Sequence, residues 1–265
     1  MKFLMVGDVV GQPGREVLYK FLEKRKKNYD FIIVNGENAA AGFGITPKIA
    51  IQFFDKGVDV ITLGNHTYDR KEIYSYLNEE PRIIRPYNYH PQNAGHGYVV
   101  VNKKGVKVGV VNLQGKVFMQ PIPCPFASID ELAPKLKKEC DVLIVDFHAE
   151  ATSEKQAMGW NLAGIATAIY GTHTHTQTSD NKILVGKTGF ITDIGMTGGH
   201  DGVLGMNKRE SLKRLKTGFS ERYVPCEEGL RINGIEVVVD DKTFKCVSIE
   251  RLDLGYDEVW YWKKF

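Results

Sequence analysis

The chain has 265 residues, of which 43% are hydrophobic and 25% are charged, and its formal net charge is +3. This composition is ordinary for a soluble globular protein. Layered α/β folds often reach this length undivided, so we expect one domain spanning residues 1–265. The small net charge argues against a protein that coats nucleic acid, although it would not repel a phosphate substrate.

The cysteines and the N-terminus indicate the compartment. The four cysteines are scattered, and none forms a C-x-x-C pair, which argues against a zinc knuckle or a redox pair. Free thiols fit a reducing cytosol better than a disulfide framework. The first apolar run is too short for a signal peptide, and no run approaches the roughly 20 residues of a membrane span. A cytoplasmic protein without membrane contact is therefore expected.

Strands and helices alternate along most of the chain. Short runs rich in Val and Ile predict buried strands at residues 3–6, 31–34, 58–63, 142–145 and 166–170. Helical spacing predicts helices at residues 14–27, 46–56, 70–79 and 129–139. This order predicts βαβ units. Two predicted hairpins, within residues 97–113 and 234–254, fit a mixed pair of sheets covered by helices.

Potential metal ligands follow the five predicted strands in succession. They are Asp8, then Glu37 with Asn38, then Asn65 with His66, then His148, and finally His173 with His175. Sites in open α/β sheets form outside the carboxyl ends of strands, so these side chains should converge at one edge. Any one of them alone has an ordinary structural explanation, such as a turn cap or a buried histidine. Five at the same edge predict a metal site.

The number of candidate ligands favours two metal ions. Carboxylate or amide oxygens together with three histidines exceed the four ligands of a typical zinc site. On an extended segment, His173 and His175 would point their rings the same way. Mixed imidazole and carboxylate ligation suits iron, manganese or zinc. A bridging carboxylate is needed to hold two cations about 3.5–4 Å apart, and Glu37 is the residue we choose for that role.

The motifs in this order resemble those of a known family. They include Gly-Asp-Val-Val-Gly at residues 7–11, Asn-Gly-Glu-Asn at 35–38, Gly-Asn-His at 64–66, Asp-Phe-His-Ala-Glu-Ala-Thr-Ser-Glu-Lys at 146–155 and Gly-Thr-His-Thr-His at 171–175. From residue 1 to about residue 205, the chain resembles the YmdB-like family of bacterial calcineurin-type metallophosphoesterases. The Gly-Asn-His element alone marks only the superfamily, whereas the run at 146–155 is far more specific.

The resemblance implies a four-layer α/β/β/α sandwich and a phosphodiesterase of 2′,3′-cyclic nucleotides or RNA ends. It implies two divalent or mixed-valence ions, with iron expected and manganese or zinc as alternatives. One ion would be held by Asp8, Glu37, Asn38 and His175, and the other by Glu37, Asn65, His148 and His173. A hydroxide bridging the metals would attack phosphorus. His66 would face the phosphate and act as the general acid.

The sequence departs from the family pattern at two places. Val10 stands where most members of the superfamily have a histidine after the first strand, and Asn38 is expected to substitute for it. Gly199-His200 and Asp201-Gly202 replace the Thr-Gly-Pro and Asp-Ser of the usual loop. The second departure concerns the rigidity of that loop and any contact it makes with the substrate.

Two other functions would also explain parts of the sequence. A dinucleotide-dependent oxidoreductase would explain the glycines after the first strand, but their spacing is wrong and Asp8 would repel a pyrophosphate. A metal-bearing regulatory or RNA-interacting protein with weak catalysis is the second alternative, although His66 is superfluous for a purely structural metal. The aromatic segment at residues 260–262 is interpreted as a terminal strand or a contact within a homo-oligomer.

Overall fold

The computed structural model describes residues 1–261 and contains two β-sheets. The strands are β1 Lys2–Val6, β2 Asp8–Val9, β3 Phe31–Asn35, β4 Val60–Thr62, β5 Ile83–Ile84, β6 Tyr98–Lys103, β7 Val106–Gln114, β8 Val142–His148, β9 Ala168–Thr172, β10 Lys182–Leu184, β11 Thr188–Ile191, β12 Met196–Gly199, β13 Leu230–Val239 and β14 Cys246–Gly255. The helices are α1 Gly11–Arg25, α2 Pro47–Lys56, α3 Ile73–Glu79, α4 Pro125–Glu139, α5 Thr152–Asn161, α6 Lys208–Thr217 and α7 Glu258–Tyr261.

The two sheets stack face to face. One has the order β2-β12-β13-β1-β3-β4-β5, with β14 also paired to β13, and the other has the order β10-β11-β9-β8-β7-β6. Alternate residues of each strand face opposite layers. Phe3 and Met5 pack between the sheets, whereas Leu4 and Val6 pack against α1 and α2 on the outside. A third apolar core joins the second sheet to α4 and α5. The expected four-layer α/β/β/α sandwich is confirmed.

Local sequence explains where several elements begin and end. Helix α2 begins after Thr46, whose hydroxyl accepts a hydrogen bond from the amide of Ile49 at 3.3 Å, with Pro47 in the first turn. It ends at Gly57, which has a φ of 100°. Both predicted hairpins are present, as β6 with β7 and β13 with β14.

Some predicted boundaries were wrong. The strand expected at 166–170 runs from Ala168 to Thr172, and the helix expected from residue 70 begins at Ile73. Residues 260 and 261 belong to helix α7 rather than a terminal strand, and Trp262 lies outside the described residues. None of the helices within residues 1–261 is both long and apolar enough to cross a bilayer.

Candidate metal centre

The carboxyl ends of strands from both sheets meet at one end of the sandwich. Strands β1, β3 and β4 of the larger sheet are parallel neighbours, as are β8 and β9 of the smaller one. The polar residues after or at these ends therefore face one another, as the sequence predicts. The structure places seven of them together, which we call the ligand cluster: Asp8, Glu37, Asn38, Asn65, His148, His173 and His175.

His148 is at the centre of one half of the cluster. Its Nε2 atom lies 2.8 Å from Asn65 Oδ1, and 3.1 Å from both His173 Nδ1 and Glu37 Oε1. Its other nitrogen, Nδ1, lies 2.9 Å from the hydroxyl oxygen of Thr172. That hydroxyl donates its proton to Asp146 at 2.7 Å, so it can only accept from His148. The proton of a neutral His148 therefore sits on Nδ1, and Nε2 presents a lone pair to the cluster.

A contact with a residue outside the ligand cluster also orients His173. Its Nε2 atom lies 3.2 Å from a carboxylate oxygen of Glu150, whose charge favours a proton on that nitrogen. Nδ1 is then the unprotonated nitrogen, and it faces His148 and Glu37. With both imidazoles neutral, two nitrogen lone pairs, an amide oxygen and a carboxylate oxygen face one another. A cation satisfies such a set, and the mixture of donors suits a divalent transition metal. In the metal-free protein the carboxylate of Glu37 outweighs the effect of burial and raises the pKa of His148, so a cation would displace a proton there.

The other half of the cluster contains Asp8, Asn38 and His175. The Nδ1 atom of His175 donates to the carbonyl oxygen of Leu204 at 3.0 Å, so Nε2 points inward. Nε2 lies 3.6 Å from Asp8 Oδ1 and 3.1 Å from Asn38 Nδ2. The carboxylate of Glu37 lies between the halves, because Oε1 also contacts Asn38 at 3.3 Å. Its position is the one that a bridging ligand requires.

Asn38 presents its amide nitrogen to the cluster. Nδ2 donates to Asp8 Oδ1 at 3.4 Å and to Glu37 Oε1 at 3.3 Å. An amide nitrogen does not bind a cation, so the side chain would have to turn by about 180° to offer Oδ1 as a ligand. Asn38 therefore lies where the sequence predicts, with its donor side turned inward.

The charges of the cluster are strongly coupled. Burial opposes ionisation of Asp8, but the nearby His175 and His148 hold the pKa of this carboxyl well below its usual range. Burial lowers the pKa of His175, and the Asp8 carboxylate outweighs burial and raises this pKa to about 9. For His173, burial and the neighbouring charge of His148 lower the pKa to about 3. The imidazole of His173 is thus neutral and available as a ligand at neutral pH.

His66 lies beside the cluster rather than in it. Its backbone amide donates to Glu37 Oε2 at 3.0 Å, which fixes the glutamate. Its Nδ1 atom lies 2.8 Å from Asp69 Oδ2, so Nε2 is the nitrogen left for a substrate. Asp69 does not cap the helix that follows, because that helix begins at Ile73 without a side-chain cap. Orientation of His66 is the role that the geometry gives to Asp69.

The loop that carries His173 and His175 is not extended, contrary to the expectation. The φ angles are 96° at His173 and 61° at His175, both in the left-handed region. The two rings therefore point to different halves of the cluster. A buried ion pair supports this loop: Asp193 accepts from Thr174 N at 3.2 Å and Oγ1 at 2.7 Å, and from Lys155 Nζ at 2.6 Å.

Gly64 lets the backbone approach the cluster closely. A Cβ atom built on Gly64 would lie 2.4 Å from the ring of His148 and 2.5 Å from the carboxylate of Glu37. Such distances are impossible without moving both side chains. The glycine of the Gly-Asn-His element is therefore required by space at this site.

A cleft of about 310 Å³ opens from the ligand cluster. Glu37, Asn38, His66, His173 and His175 line one side. We call the other side the apolar wall: Phe43, Val203, Leu204, Met206, Leu215 and Tyr223. Nothing in the local sequence marks the apolar wall or Asp193 as part of a site, and Thr172 and Glu150 lie within the family motifs without a spacing that reveals their roles as supports. Their roles follow only from contacts with residues distant along the chain.

The two departures from the family pattern lie close to the cleft. Val10 is buried in an apolar group with Met196 and Met206, so an apolar contact replaces the absent histidine. His200 is half-buried, and its ring lies 3.2 Å from the carbonyl oxygen of Met196. It lines a neighbouring groove together with His175 and Leu204, at the rim of the site.

The fold and the site define a four-layer α/β/β/α protein with a candidate metal centre at the carboxyl ends of its strands. The chain belongs to the YmdB-like family, whose model matches residues 4–252. It is 44% identical over 263 residues to the 2′,3′-cyclic-nucleotide 2′-phosphodiesterase of Bacillus subtilis strain 168, covering 98% of this chain and 100% of that protein.

Solved structures support the same assignment. A crystal structure described as a novel phosphatase, from Mycoplasma pneumoniae, has a TM-score of 0.90 at 35% identity, covering 96% of this chain and 93% of that one. A putative 5′-nucleotidase from Staphylococcus aureus has a TM-score of 0.62 at 16% identity, covering 95% of this chain and 53% of that one. The second likeness concerns the fold alone.

Proposed function

We propose that this protein is a two-metal phosphodiesterase that hydrolyses 2′,3′-cyclic nucleotides, either free or at the end of an RNA. The observation that carries the proposal is the close approach of an amide oxygen, a carboxylate oxygen and a second imidazole nitrogen to His148 Nε2, a set of donors that a cation would satisfy. The activity named for the Bacillus subtilis relative, which matches nearly the whole chain, supports the substrate class.

The two halves of the ligand cluster suggest how two ions would be held. Asp8, Asn38 and His175 would bind one, and Asn65, His148 and His173 the other, with Glu37 shared. Shared binding is supported by the carboxylate of Glu37, whose Oε1 atom contacts both Asn38 and His148. Iron is the metal that we propose, with manganese and zinc as alternatives, because mixed imidazole and oxygen donors suit all three.

Two bound ions would supply an activated water molecule and positive charge for the phosphoryl oxygens. The side chains of this chain prepare that chemistry by holding their donors in place. The Thr172 hydroxyl fixes the proton of His148 on Nδ1, and the carboxylate of Glu150 does the same for Nε2 of His173. Such supports typically change metal affinity or activity by about 10- to 100-fold when removed.

His66 is proposed as the general acid. A ribose oxygen is a poor leaving group unless it receives a proton as the bond to phosphorus breaks. His66 faces the cleft, and the contact between its Nδ1 atom and the carboxylate of Asp69 would hold the ring in place. Nε2 would then donate the proton to the leaving oxygen, with Phe43 packed edge-on against the ring at 5.0 Å between centroids.

The proposal is tested by metal analysis combined with a substrate panel. Protein purified without chelator or nickel affinity would be analysed for iron, manganese and zinc. It would then be assayed on 2′,3′-cyclic nucleotides, 3′,5′-cyclic nucleotides and phosphomonoesters. We expect about two ions per chain and preferential hydrolysis of the 2′,3′-cyclic esters. Preference for a monoester, or metal content without turnover of any ester, would contradict the proposal, and the second result would favour a regulatory role.

A further inference from the structure

The apolar wall is an unusual boundary for a site that handles phosphate. Leu204 and Leu215 remain 53% and 74% exposed beside the polar ligand cluster. The rings of Phe43 and Tyr223 lie next to each other, with centroids 6.1 Å apart and planes tilted by 39°. A cleft with one polar side and one apolar side is suited to a ligand that has the same two characters.

A buried hydroxyl lines the same cleft beside the apolar wall. Ser211 is 2% exposed and lines the cleft, and its Oγ atom has no hydrogen-bond partner among residues 1–261. Buried polar groups normally have a partner, since leaving one unpaired is costly. A ligand with a hydrogen-bonding edge would supply the missing partner. Within the described part of the chain, residues 1–261, no lysine or arginine lines this cleft, so none of these residues offers a counter-charge to a second phosphate there.

We propose that the apolar wall binds the nucleobase of the substrate, with Phe43 and Tyr223 packing on the base and Ser211 hydrogen-bonding its edge. This inference rests on the proposed function. In a 2′,3′-cyclic nucleotide the base is attached to C1′, next to the carbon that carries the reacting ester. A phosphate at the ligand cluster therefore places the base one sugar ring away, where the same cleft continues to the wall.

The chemistry of the wall favours a base over other occupants. A nucleobase is flat and uncharged, presents apolar faces, and carries donors and acceptors only at its edge. Stacking on aromatic side chains is tolerant of base identity, because every base has such a face. We therefore expect a general requirement for a base, with weaker discrimination among adenine, guanine, cytosine and uracil.

The test compares two esters that differ only in the base. One is adenosine 2′,3′-cyclic phosphate and the other is the 2,3-cyclic phosphate of methyl riboside, in which a methoxy group replaces adenine. For the metal-loaded wild-type protein we expect kcat/KM to be about 10-fold or more higher on the adenosine ester, as base stacking on aromatic side chains typically provides. The difference should appear mainly in KM.

Three variants locate the contact. Tyr223→Leu and Phe43→Leu remove a ring while keeping an apolar side chain, and Ser211→Ala removes the hydroxyl. For each ring variant, kcat/KM should fall by about 5-fold or more on the adenosine ester and by clearly less on the base-free ester. Phe219→Leu is the matched control, because Phe219 is 72% exposed in the same segment and does not line the cleft. Thermal unfolding checks that each variant folds.

A binding measurement keeps this inference separate from the proposed function. Calorimetric titration of the metal-loaded protein would use adenosine 3′-monophosphate and methyl riboside 3-phosphate. Tighter binding of the adenosine compound, weakened by Tyr223→Leu, would support the base site even if turnover were absent. Equal affinity and equal kcat/KM for the paired compounds would overturn the base site while leaving the phosphodiesterase intact. Failure to hydrolyse either ester would overturn only the activity.

Discussion

The two sides of the active-site cleft are built in different ways. Members of the ligand cluster sit at or just after strand ends, close to the ladder hydrogen bonds that fix the sheets, and Asp8, Glu37, Asn38 and His148 are almost fully buried. The apolar wall comes from loops and helix α6, and two of its leucines are largely exposed. One side is held by two sheets at once, whereas the other is formed by separate segments outside the sheets.

This difference teaches where change is tolerated. A side chain that binds a metal must be placed to within a fraction of an ångström. Its backbone therefore has to be rigid, and the nitrogen or oxygen that does not face the metal has to be held by another contact. An apolar contact has no such directional demand. We therefore expect substitutions in the ligand cluster to abolish the chemistry, and substitutions in the wall to alter which substrate is used.

Glu37→Gln should have the largest effect. The change keeps the shape of the side chain but removes the negative charge that would offset two cations. We expect loss of at least one metal ion per chain and a fall in kcat/KM of about 10³-fold or more, since the metals contribute several kcal/mol to the transition state. Metal content by mass spectrometry and turnover measure the two effects. Glu139→Gln, at the exposed end of α4, is the matched control. A fully loaded, fully active variant would remove the bridging role.

His66→Ala should keep both metal ions. Its kcat/KM on 2′,3′-cyclic nucleotides should fall by about 10²- to 10⁴-fold, which is the usual contribution of a general acid. The loss should be much smaller on bis(p-nitrophenyl) phosphate, whose leaving group needs no proton. His90→Ala, in an exposed loop, controls for the removal of a histidine. Equal losses on both esters would show that His66 binds or orients the phosphate instead.

Lys155→Met tests whether the buried support of the histidine loop is needed for stability. Lys155 and Asp193 are each about 1% exposed, and removing the lysine leaves a buried carboxylate unpaired. We expect a loss of about 3–5 kcal/mol in the free energy of unfolding, together with weaker metal binding. Lys208→Met breaks the exposed pair with Glu228 and should cost less than about 1 kcal/mol. Equal effects of the two changes on denaturant unfolding would contradict the supporting role.

Metal binding should depend on pH through His175. Per pH unit, the expected change in affinity is smaller than the effects of the substitutions above. Asp8 raises the pKa of this imidazole to about 9 in the metal-free protein, against the effect of burial. A metal ion must displace that proton, so affinity should fall by about tenfold per pH unit below 9. The stability of the metal-free fold should depend on pH with the opposite sign. The charge of His175 that pairs with Asp8 is fully present below pH 6.5 and is lost as the pH rises through about 9.

Calorimetry in two buffers of different ionisation enthalpy would count the proton released at pH 7.5. His173, with a pKa lowered to about 3, should contribute no proton at that pH. Occupancy that stays flat from pH 9 to pH 4 would exclude His175 as a ligand.

The sequence by itself determined the ligand cluster and the layered fold. Apolar runs that end in Asp8, Glu37 or His148 carry their own signal, because a buried strand and the polar residue at its end are adjacent in the chain. Parallel strands then bring such residues to one edge whatever the rest of the fold does. The four-layer sandwich came from the same motifs, through their resemblance to a family.

Only the tertiary structure decided the rest. The left-handed backbone at His173 and His175, the inward amide nitrogen of Asn38 and the pairing of Lys155 with Asp193 depend on partners far along the chain. The apolar wall brings Phe43 against Tyr223, which is 180 positions further along the chain, and neither ring belongs to a recognisable motif. Such contacts arise from packing, which is non-directional and leaves no periodic pattern in the sequence.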